Sequence, residues 1–268
     1  MPRFADKLLV AGLDSLRNLV CPPECVWCGT PTASGIDFCS ECRPALLSQY
    51  YHCQRCATPL PNVVPNGDCF RCRHSGWKFS RVVTLGPYRG RRREAVILAK
   101  KRSFESLRLG IGRLLAELIM QQPAVVQQPP LPPLIVPVPY HWTHAFSGTA
   151  RTANSLAQAI GQHNGWPVKT RIARRIRKTA KQGMLSWTER KQNVRGAFEI
   201  RQAKVLSGRH VLLVDDVLTS GATAGELAGR LVRAGAREVS VVVIARGTGT
   251  KDRSAEVNAE SVQPGQTP

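Results

Sequence analysis

Long apolar runs are missing from this sequence, and so is any segment that resembles a cleaved export signal. These absences exclude the usual patterns of a membrane-spanning helix and of a secreted precursor. Residues 1–20 carry apolar side chains at helical spacing between Phe4 and Val20, but charged residues interrupt them, as in an amphipathic helix. We expect this helix to pack on the rest of the protein, with a membrane surface or a partner as the alternative. We expect the protein to be cytoplasmic.

Acidic residues are also scarce. The 268 residues include 18 aspartates and glutamates against 38 lysines and arginines, and the formal net charge is +20. A strongly basic chain is typical of proteins whose partners are polyanions, such as nucleic acid or phosphorylated small molecules. Codon usage also enriches arginine, so charge alone leaves the partner open. Hydrophobic residues make up 43% of the chain, which favours a packed core over global disorder.

Nine cysteines lie within residues 21–76, and eight of them form four C-x-x-C pairs. A C-x-x-C turn points two thiolates at one ion, and two such turns complete a tetrahedral zinc site. Four thiolates leave no open position, so we expect structural zinc, with redox dithiols or an iron–sulfur cluster as alternatives. The expected ligands are Cys25, Cys28, Cys39, Cys42, Cys53, Cys56, Cys69 and Cys72.

Two pairing schemes fit these spacings. Sequential pairing gives two zinc ribbons with short loops and is preferred, whereas interleaved pairing would give a cross-brace. Gly29 follows the first pair, where a tight turn favours a residue without Cβ. Cys21 is left over, and we expect it to be a free thiol.

Strand-like and helix-like segments alternate over residues 80–247, as in an α/β fold. They predict a mostly parallel sheet with helices on both faces. The expected strands are Arg81–Tyr88, Leu134–Pro139, Val168–Ile176, Val211–Val217 and Val239–Ala245. The expected helices are Arg91–Met120, Thr149–His163 and Gly221–Ala234, with an exposed linker over Gln121–Pro133. Residues 248–268 are polar and lack apolar anchors, so we expect a disordered tail.

The segment Val211–Thr223 reads VLLVDDVLTSGAT. We expect a buried strand to deliver Asp215 and Asp216 to the edge of the sheet, before a loop of small residues enters a helix. Backbone N–H groups, hydroxyls and the helix dipole suit a phosphate monoester, and carboxylates suit ribose hydroxyls, directly or through Mg²⁺. Both acids should face solvent, and Gly221 should let the backbone approach the phosphate. A helix cap is the alternative role for the acids.

This pattern resembles the signature of type I phosphoribosyltransferases, and the wider chain resembles the ComF family over residues 21–247. That family joins N-terminal zinc ribbons to a phosphoribosyltransferase domain and is linked to DNA uptake in competent bacteria. The segments IVPVPY (Ile135–Tyr140), KTAKQ (Lys178–Gln182) and RKQNVRGAF (Arg190–Phe198) support the likeness. The resemblance implies binding of phosphoribosyl diphosphate with Mg²⁺. It also implies single-stranded DNA, a DNA-uptake helicase or other competence proteins as partners.

The resemblance implies site residues as well. Asp215 and Asp216 would be the catalytic pair, and the basic segment Lys178–Phe198 would contact pyrophosphate or substrate, a solvated loop being the alternative. Lys100 and Lys101 are expected to complement a helix C-terminus, or else to contact phosphate. The other candidates for binding phosphoribosyl diphosphate are Val214, Thr219, Ser220, Gly221, Ala222, Thr223, Lys178, Lys181, Gln182, Arg190 and Asn193.

One stretch departs from the family pattern. Where the family carries an R-G-F-N-Q-type sequence that helps to hold pyrophosphate, this chain has HAFSGTARTA (His144–Ala153). His144 and Arg151 are the basic residues that would substitute there. Three hypotheses therefore stay open: a phosphoribosyltransferase with an unnamed acceptor, a non-catalytic nucleic-acid-binding protein, and a phosphoribosyl-diphosphate sensor with a protein partner.

Overall fold

The computed structural model describes residues 22–47, 50–61, 68–126, 131–140, 148–177, 179 and 187–247. Several predictions made from the sequence lie outside these residues. They are the helix over 1–20, the free thiol of Cys21, the tail over 248–268, and the site candidates Lys178, Lys181, Gln182 and His144.

Four parallel strands form the central sheet, in the order β1–β6–β5–β2. The two inner strands, β5 and β6, are almost continuously apolar, because both of their faces are covered. The predicted mostly parallel sheet is therefore confirmed. The strands are β1 (Arg81–Thr84), β2 (Leu134–Pro137), β3 (Ala173–Arg175), β4 (Phe198–Ile200), β5 (His210–Leu218) and β6 (Glu238–Arg246).

Each face of the sheet carries helices and one cysteine cluster. Alternate residues of a strand point to opposite faces, so Leu212 and Val214 of β5 pack with α3, α4, α6 and the first cluster. Val211 and Leu213 pack with α8 and the second cluster. The helices are α1 (Cys42–Leu46), α2 (Phe70–Ser75), α3 (Gly90–Ala99), α4 (Glu105–Met120), α5 (Pro123–Val126), α6 (Gly148–Asn164), α7 (Trp187–Val194) and α8 (Ala222–Arg233), with a 3₁₀ turn at Ala203–Leu206.

The single helix expected over Arg91–Met120 is wrong, because the chain breaks between α3 and α4. Arg108 stabilises this break, because its buried guanidinium donates to the carbonyls of Ala99 (2.8 Å) and Lys101 (2.7 Å). These carbonyls lie at the end of α3, and the arginine satisfies them where a continuing helix would have done so. The break leaves Lys100 at the C-cap of α3.

Two other predicted elements differ in the structure. Of the strand expected over Val168–Ile176, only β3 is a strand in the structure. It pairs antiparallel with β4 in a separate two-stranded sheet. Only a single bridge joins Val168 to Ile135 of the main sheet. The linker expected to be exposed contains α5, and its Val125 is 1% exposed because it packs into the core. Within the described residues, no helix combines the length and apolarity that crossing a membrane requires.

Candidate ligand site and metal centres

The eight paired cysteines form two clusters, one from the first two C-x-x-C pairs and one from the last two. Within each cluster all four sulfurs lie within 4.8 Å of one another. The Cys28–Cys39 and Cys53–Cys72 sulfur distances are both 3.7 Å. A tetrahedron with Zn–S bonds of about 2.3 Å has edges of about 3.8 Å, so this geometry fits zinc. Sequential pairing is confirmed, and the interleaved alternative is wrong.

Four sulfurs at this distance cannot all carry a negative charge without a cation between them. The Cys72 hydrogen bond lowers the pKa of the Cys56 thiol to about 4, and the same bond raises the pKa of Cys72. A divalent ion removes this competition because it favours the thiolate at all four positions. The donor set therefore supports structural zinc at both clusters.

Elemental analysis of protein purified without added metal should find two zinc ions per chain. Cys25→Ser should leave one, because the two clusters pack on opposite faces of the sheet and share no ligand. The first ribbon should then unfold, since metal binding and folding are coupled in such modules. Iron with a visible absorption band, the absence of metal, or the loss of both zinc ions from Cys25→Ser would contradict this assignment.

A cleft of about 260 Å³ opens where β2 and β5 end. Parallel strands bring their carboxyl ends to one edge of the sheet, which is where ligands bind in open α/β folds. The loop from Thr219 to Thr223 forms one wall and leads into α8 at Ala222. Gly221 offers no side chain to cap this helix, and the Ser220 hydroxyl accepts from the Ala222 N–H at 3.3 Å. The positive end of the helix dipole lies at the cleft, where it favours an anion.

Asp215 lies at the centre of this edge. Pro137 of β2 pairs with Val214 of β5, and this register brings Tyr140 beside the acid. The Tyr140 hydroxyl donates to Asp215 Oδ1 at 2.8 Å. Burial, followed by the charge of Asp216, raises the pKa of Asp215 to about 8. The negative charge of Asp215 is therefore poorly compensated in the free protein. A hydroxyl donor or a cation supplied by a ligand would stabilise it.

The expectation that both acids face solvent is wrong for Asp216. Its side chain is 7% exposed, and Oδ2 lies 3.0 Å from Lys100 Nζ. The strand does not end before the acids, because β5 continues through them to Leu218. Strand alternation therefore places Asp215 in the cleft and Asp216 on the opposite face, beside the end of α3.

Gly221 lines the cleft, and the backbone there also requires glycine for a structural reason. Its φ is +74°, a conformation that other L-residues adopt at a cost. A Cβ at Gly221 would lie 2.6 Å from the Trp77 ring, which is not part of the cleft wall. The expected approach of Gly221 to phosphate stays a prediction, and a larger residue there would also clash with Trp77 behind the loop.

The remaining candidates divide between the cleft and other places. Thr219, Ser220, Ala222 and Thr223 line the cleft, whereas Val214 is buried in the core. The half-buried Arg190 and Asn193 lie on α7 and are not among the residues that line it.

Three polar lining residues were not among the candidates named from the sequence: Tyr140, Arg175 and Thr179. Tyr140 follows the P-V-P strand, so the sheet-edge argument applied to Asp215 would have found it. Arg175 comes from the separate β3–β4 sheet, whose position no sequence signal indicated. Arg175 donates to the Thr179 hydroxyl, and its Nε has no hydrogen-bond partner in the part of the chain that the structure describes.

Comparison with known proteins agrees with both modules. Residues 16–73 match the double zinc ribbon domain, and residues 147–264 match the phosphoribosyl transferase domain. The chain is 31% identical over 236 residues to the DNA utilization protein YhgH of Salmonella typhi, covering 85% of this chain and 99% of that protein. The chain belongs to the ComF family. Another relative is the Competence protein F of Haemophilus influenzae, 28% identical over 228 residues, with 83% and 96% coverage.

As a ComF-family protein, the chain combines a phosphoribosyltransferase-like fold with an N-terminal zinc-ribbon module. Among solved structures, it is similar to glutamine phosphoribosylpyrophosphate amidotransferase from B. subtilis, at 25% identity and a TM-score of 0.35. That match covers 52% of this chain and 26% of the amidotransferase chain.

Proposed function

We propose that this ComF-family protein binds phosphoribosyl diphosphate with Mg²⁺ in the cleft at the end of β5, and that it acts in DNA uptake or processing. One observation carries the first part: Asp215 and the N-terminus of α8 line the same cleft. These groups match the two ends of a ribose 5-phosphate, one offering acceptors and the other offering donors. The names of the relatives, which refer to DNA utilization and competence, support the second part.

Each group of the cleft has a proposed role. The loop from Thr219 to Thr223 would anchor the 5′-phosphate, and this binding energy would position the ribose. Asp215 would accept from the ribose hydroxyls, directly or through Mg²⁺. Arg175, with an unpartnered Nε in the described chain, would face a negatively charged ligand. Asp216, held by Lys100 on the other face, would act through the position of β5.

The same arrangement would serve catalysis if an acceptor is present. In phosphoribosyl transfer, C1 of the ribose acquires oxocarbenium character while pyrophosphate departs. Basic side chains and Mg²⁺ neutralise such a leaving group, and a nearby carboxylate stabilises the positive charge at the ribose. Lys178, Lys181, Gln182 and Arg190 remain our predicted contacts to the pyrophosphate.

Thermal unfolding tests the binding proposal. A ligand present at about 100 times its Kd adds about 2.7 kcal/mol to the folded state, or roughly 5–10 °C in Tm for a domain of this size. We expect that shift with phosphoribosyl diphosphate and Mg²⁺, and a smaller one with ribose 5-phosphate. An unchanged Tm at millimolar ligand, or a shift that is the same without Mg²⁺, would count against the proposal.

A second candidate function, binding of single-stranded DNA, rests on a neighbouring cleft of about 490 Å³. It shares Tyr140 and Arg175 with the first cleft and is also lined by Arg171, Arg174 and Arg201. No carboxylate is among its lining residues, although Glu199 pairs with Arg201 at 3.0 Å. Clustered arginines along a groove suit a phosphate backbone without reading its sequence.

The double variant Arg171→Gln/Arg174→Gln should weaken binding of a single-stranded oligonucleotide and lower the magnitude of its log–log salt slope by about 1.4. The matched control, Lys204→Gln/Arg237→Gln, removes two exposed charges that precede the amino ends of β5 and β6, whereas the clefts lie near the carboxyl ends of the strands. Fluorescence anisotropy at several salt concentrations separates the two pairs. Equal losses from both would indicate only general charge attraction, and no binding at low salt would remove this candidate.

A further inference from the structure

Arg246 is the last residue of β6, and its side chain is completely buried. It is not among the residues that line the ligand cleft. Its guanidinium nevertheless contacts both the second zinc ribbon and the start of the loop from Thr219 to Thr223, which we call the phosphate loop. The partners are the Cys56 carbonyl (2.8 Å from Nε), the Thr58 hydroxyl (3.1 Å from Nη2), the Leu218 carbonyl (2.7 Å from Nη1) and the carbonyls of Thr219 and Gly247.

On the ribbon side, the contact reaches a metal ligand. The Thr58 hydroxyl lies 3.1 Å from the Cys56 sulfur. With Cys56 as a thiolate, this hydroxyl donates to the sulfur and accepts from Arg246 at the same time. The first ribbon has the same feature, with Thr30 Oγ1 at 3.2 Å from the Cys28 sulfur, but among the described residues no arginine contacts Thr30.

The charge of Arg246 also requires the ribbon. All five oxygens that the guanidinium contacts are neutral: four backbone carbonyls and one hydroxyl. A buried cation is costly unless a negative charge lies nearby. A four-thiolate zinc site carries a charge of about −2. The Thr58 hydroxyl links its ligand Cys56 to Arg246 through two hydrogen bonds.

On the loop side, Arg246 hydrogen-bonds to carbonyl oxygens that would otherwise repel a phosphate. These are the carbonyls of Leu218 and Thr219. The Gly247 N–H also donates to the Leu218 carbonyl at 2.8 Å. With these carbonyls engaged behind it, the loop is set to offer its N–H groups to the ligand.

We propose that Arg246 is a positioning residue that couples the second zinc ribbon to the phosphate loop, so that metal retention there and binding of phosphoribosyl diphosphate strengthen each other. The inference rests on the proposed function for its ligand. Such coupling is reciprocal by thermodynamic necessity. The first ribbon, on the opposite face of the sheet, should be independent of the ligand and serves as an internal reference.

Zinc transfer from the full-length protein to a chromogenic chelator tests the coupling. Phosphoribosyl diphosphate with Mg²⁺ should slow the release of one zinc ion about tenfold and leave the other unchanged. Arg246→Met should abolish the slowing and weaken ligand binding about tenfold. Arg246→Lys, which keeps the charge, should bind the ligand better than Arg246→Met. Ligand binding without any slowing in the wild type would overturn the proposal.

A milder pair of variants tests the same coupling if the Arg246 variants do not fold. Thr58→Val removes one hydroxyl from the second ribbon and should weaken ligand binding, whereas Thr30→Val makes the same change in the first ribbon and should not. If both bind as the wild type does, the proposal is wrong.

If the wild type binds no ligand, the proposed function fails and hydrogen exchange decides the coupling. Cys69→Ser should then speed amide exchange over residues 218–223, and unchanged exchange would overturn the inference.

Discussion

Gly221→Ala should weaken binding of phosphoribosyl diphosphate about 100-fold, because it displaces phosphate donors worth about 1.5–3 kcal/mol each. It should also lower the free energy of unfolding by about 2–5 kcal/mol. Two costs add at this residue. The φ of +74° is unfavourable for alanine, and the new Cβ would lie 2.6 Å from Trp77. Relief of either strain moves the loop that lines the ligand cleft.

Two other glycines separate these causes. Gly225→Ala also places a Cβ 2.6 Å from Trp77, but within a regular helix. Gly165→Ala meets a φ of +68° in open space, away from the cleft. Each should show part of the stability loss without the full loss of ligand binding. Calorimetric titration and denaturant unfolding of all three variants would check this, and ligand binding by Gly221→Ala at wild-type affinity would refute it.

Asp215→Asn should have opposite effects on stability and on ligand binding. The pKa of Asp215 is raised from 3.8 to about 8 in the folded protein. A carboxyl with a raised pKa stabilises the fold while it is protonated, and that contribution is lost as the pH rises from about 4 to about 8. Asparagine is neutral at every pH and still accepts from Tyr140. The variant should therefore match the wild type near pH 4 and exceed its Tm at pH 8.

The same substitution removes the carboxylate that the ligand would use. Losing a charge-assisted contact to ribose or Mg²⁺ should weaken binding about 10- to 100-fold. Asp216→Asn is the matched control, because it breaks the ion pair between buried Asp216 and the exposed Lys100 and should lower Tm at pH 8. Thermal unfolding at several pH values, with and without ligand, distinguishes the two. A lower Tm for Asp215→Asn at pH 8, or retained affinity, would contradict this account of the cleft.

The sequence predicted the features that depend on local spacing. The ligand sets of the two zinc ribbons follow from four C-x-x-C pairs and the short loops between them. The parallel sheet follows from apolar runs such as Val211–Val214, which are typical of strands buried on both faces. The strand–loop–helix pattern at Asp215 similarly placed the candidate cleft at the correct edge of the sheet.

Features that depend on distant contacts could not be predicted in this way. Asp216 faces Lys100 because β5 continues past the acids, and only the register of the sheet reveals that continuation. The helix break depends on which carbonyls Arg108 reaches. Arg246 contacts Cys56, 190 residues earlier in the chain, and therefore had no local signature.

Calorimetric titration of phosphoribosyl diphosphate into the wild-type, zinc-loaded protein tests the central claim most directly. We predict one binding site per chain in the presence of Mg²⁺, with affinity lost when Mg²⁺ is chelated and reduced in Asp215→Asn. The absence of binding heat at millimolar ligand, at two temperatures that exclude a silent enthalpy, would contradict the claim. So would equal affinity for the wild type and Asp215→Asn, because the ligand would then bind outside the cleft at the end of β5.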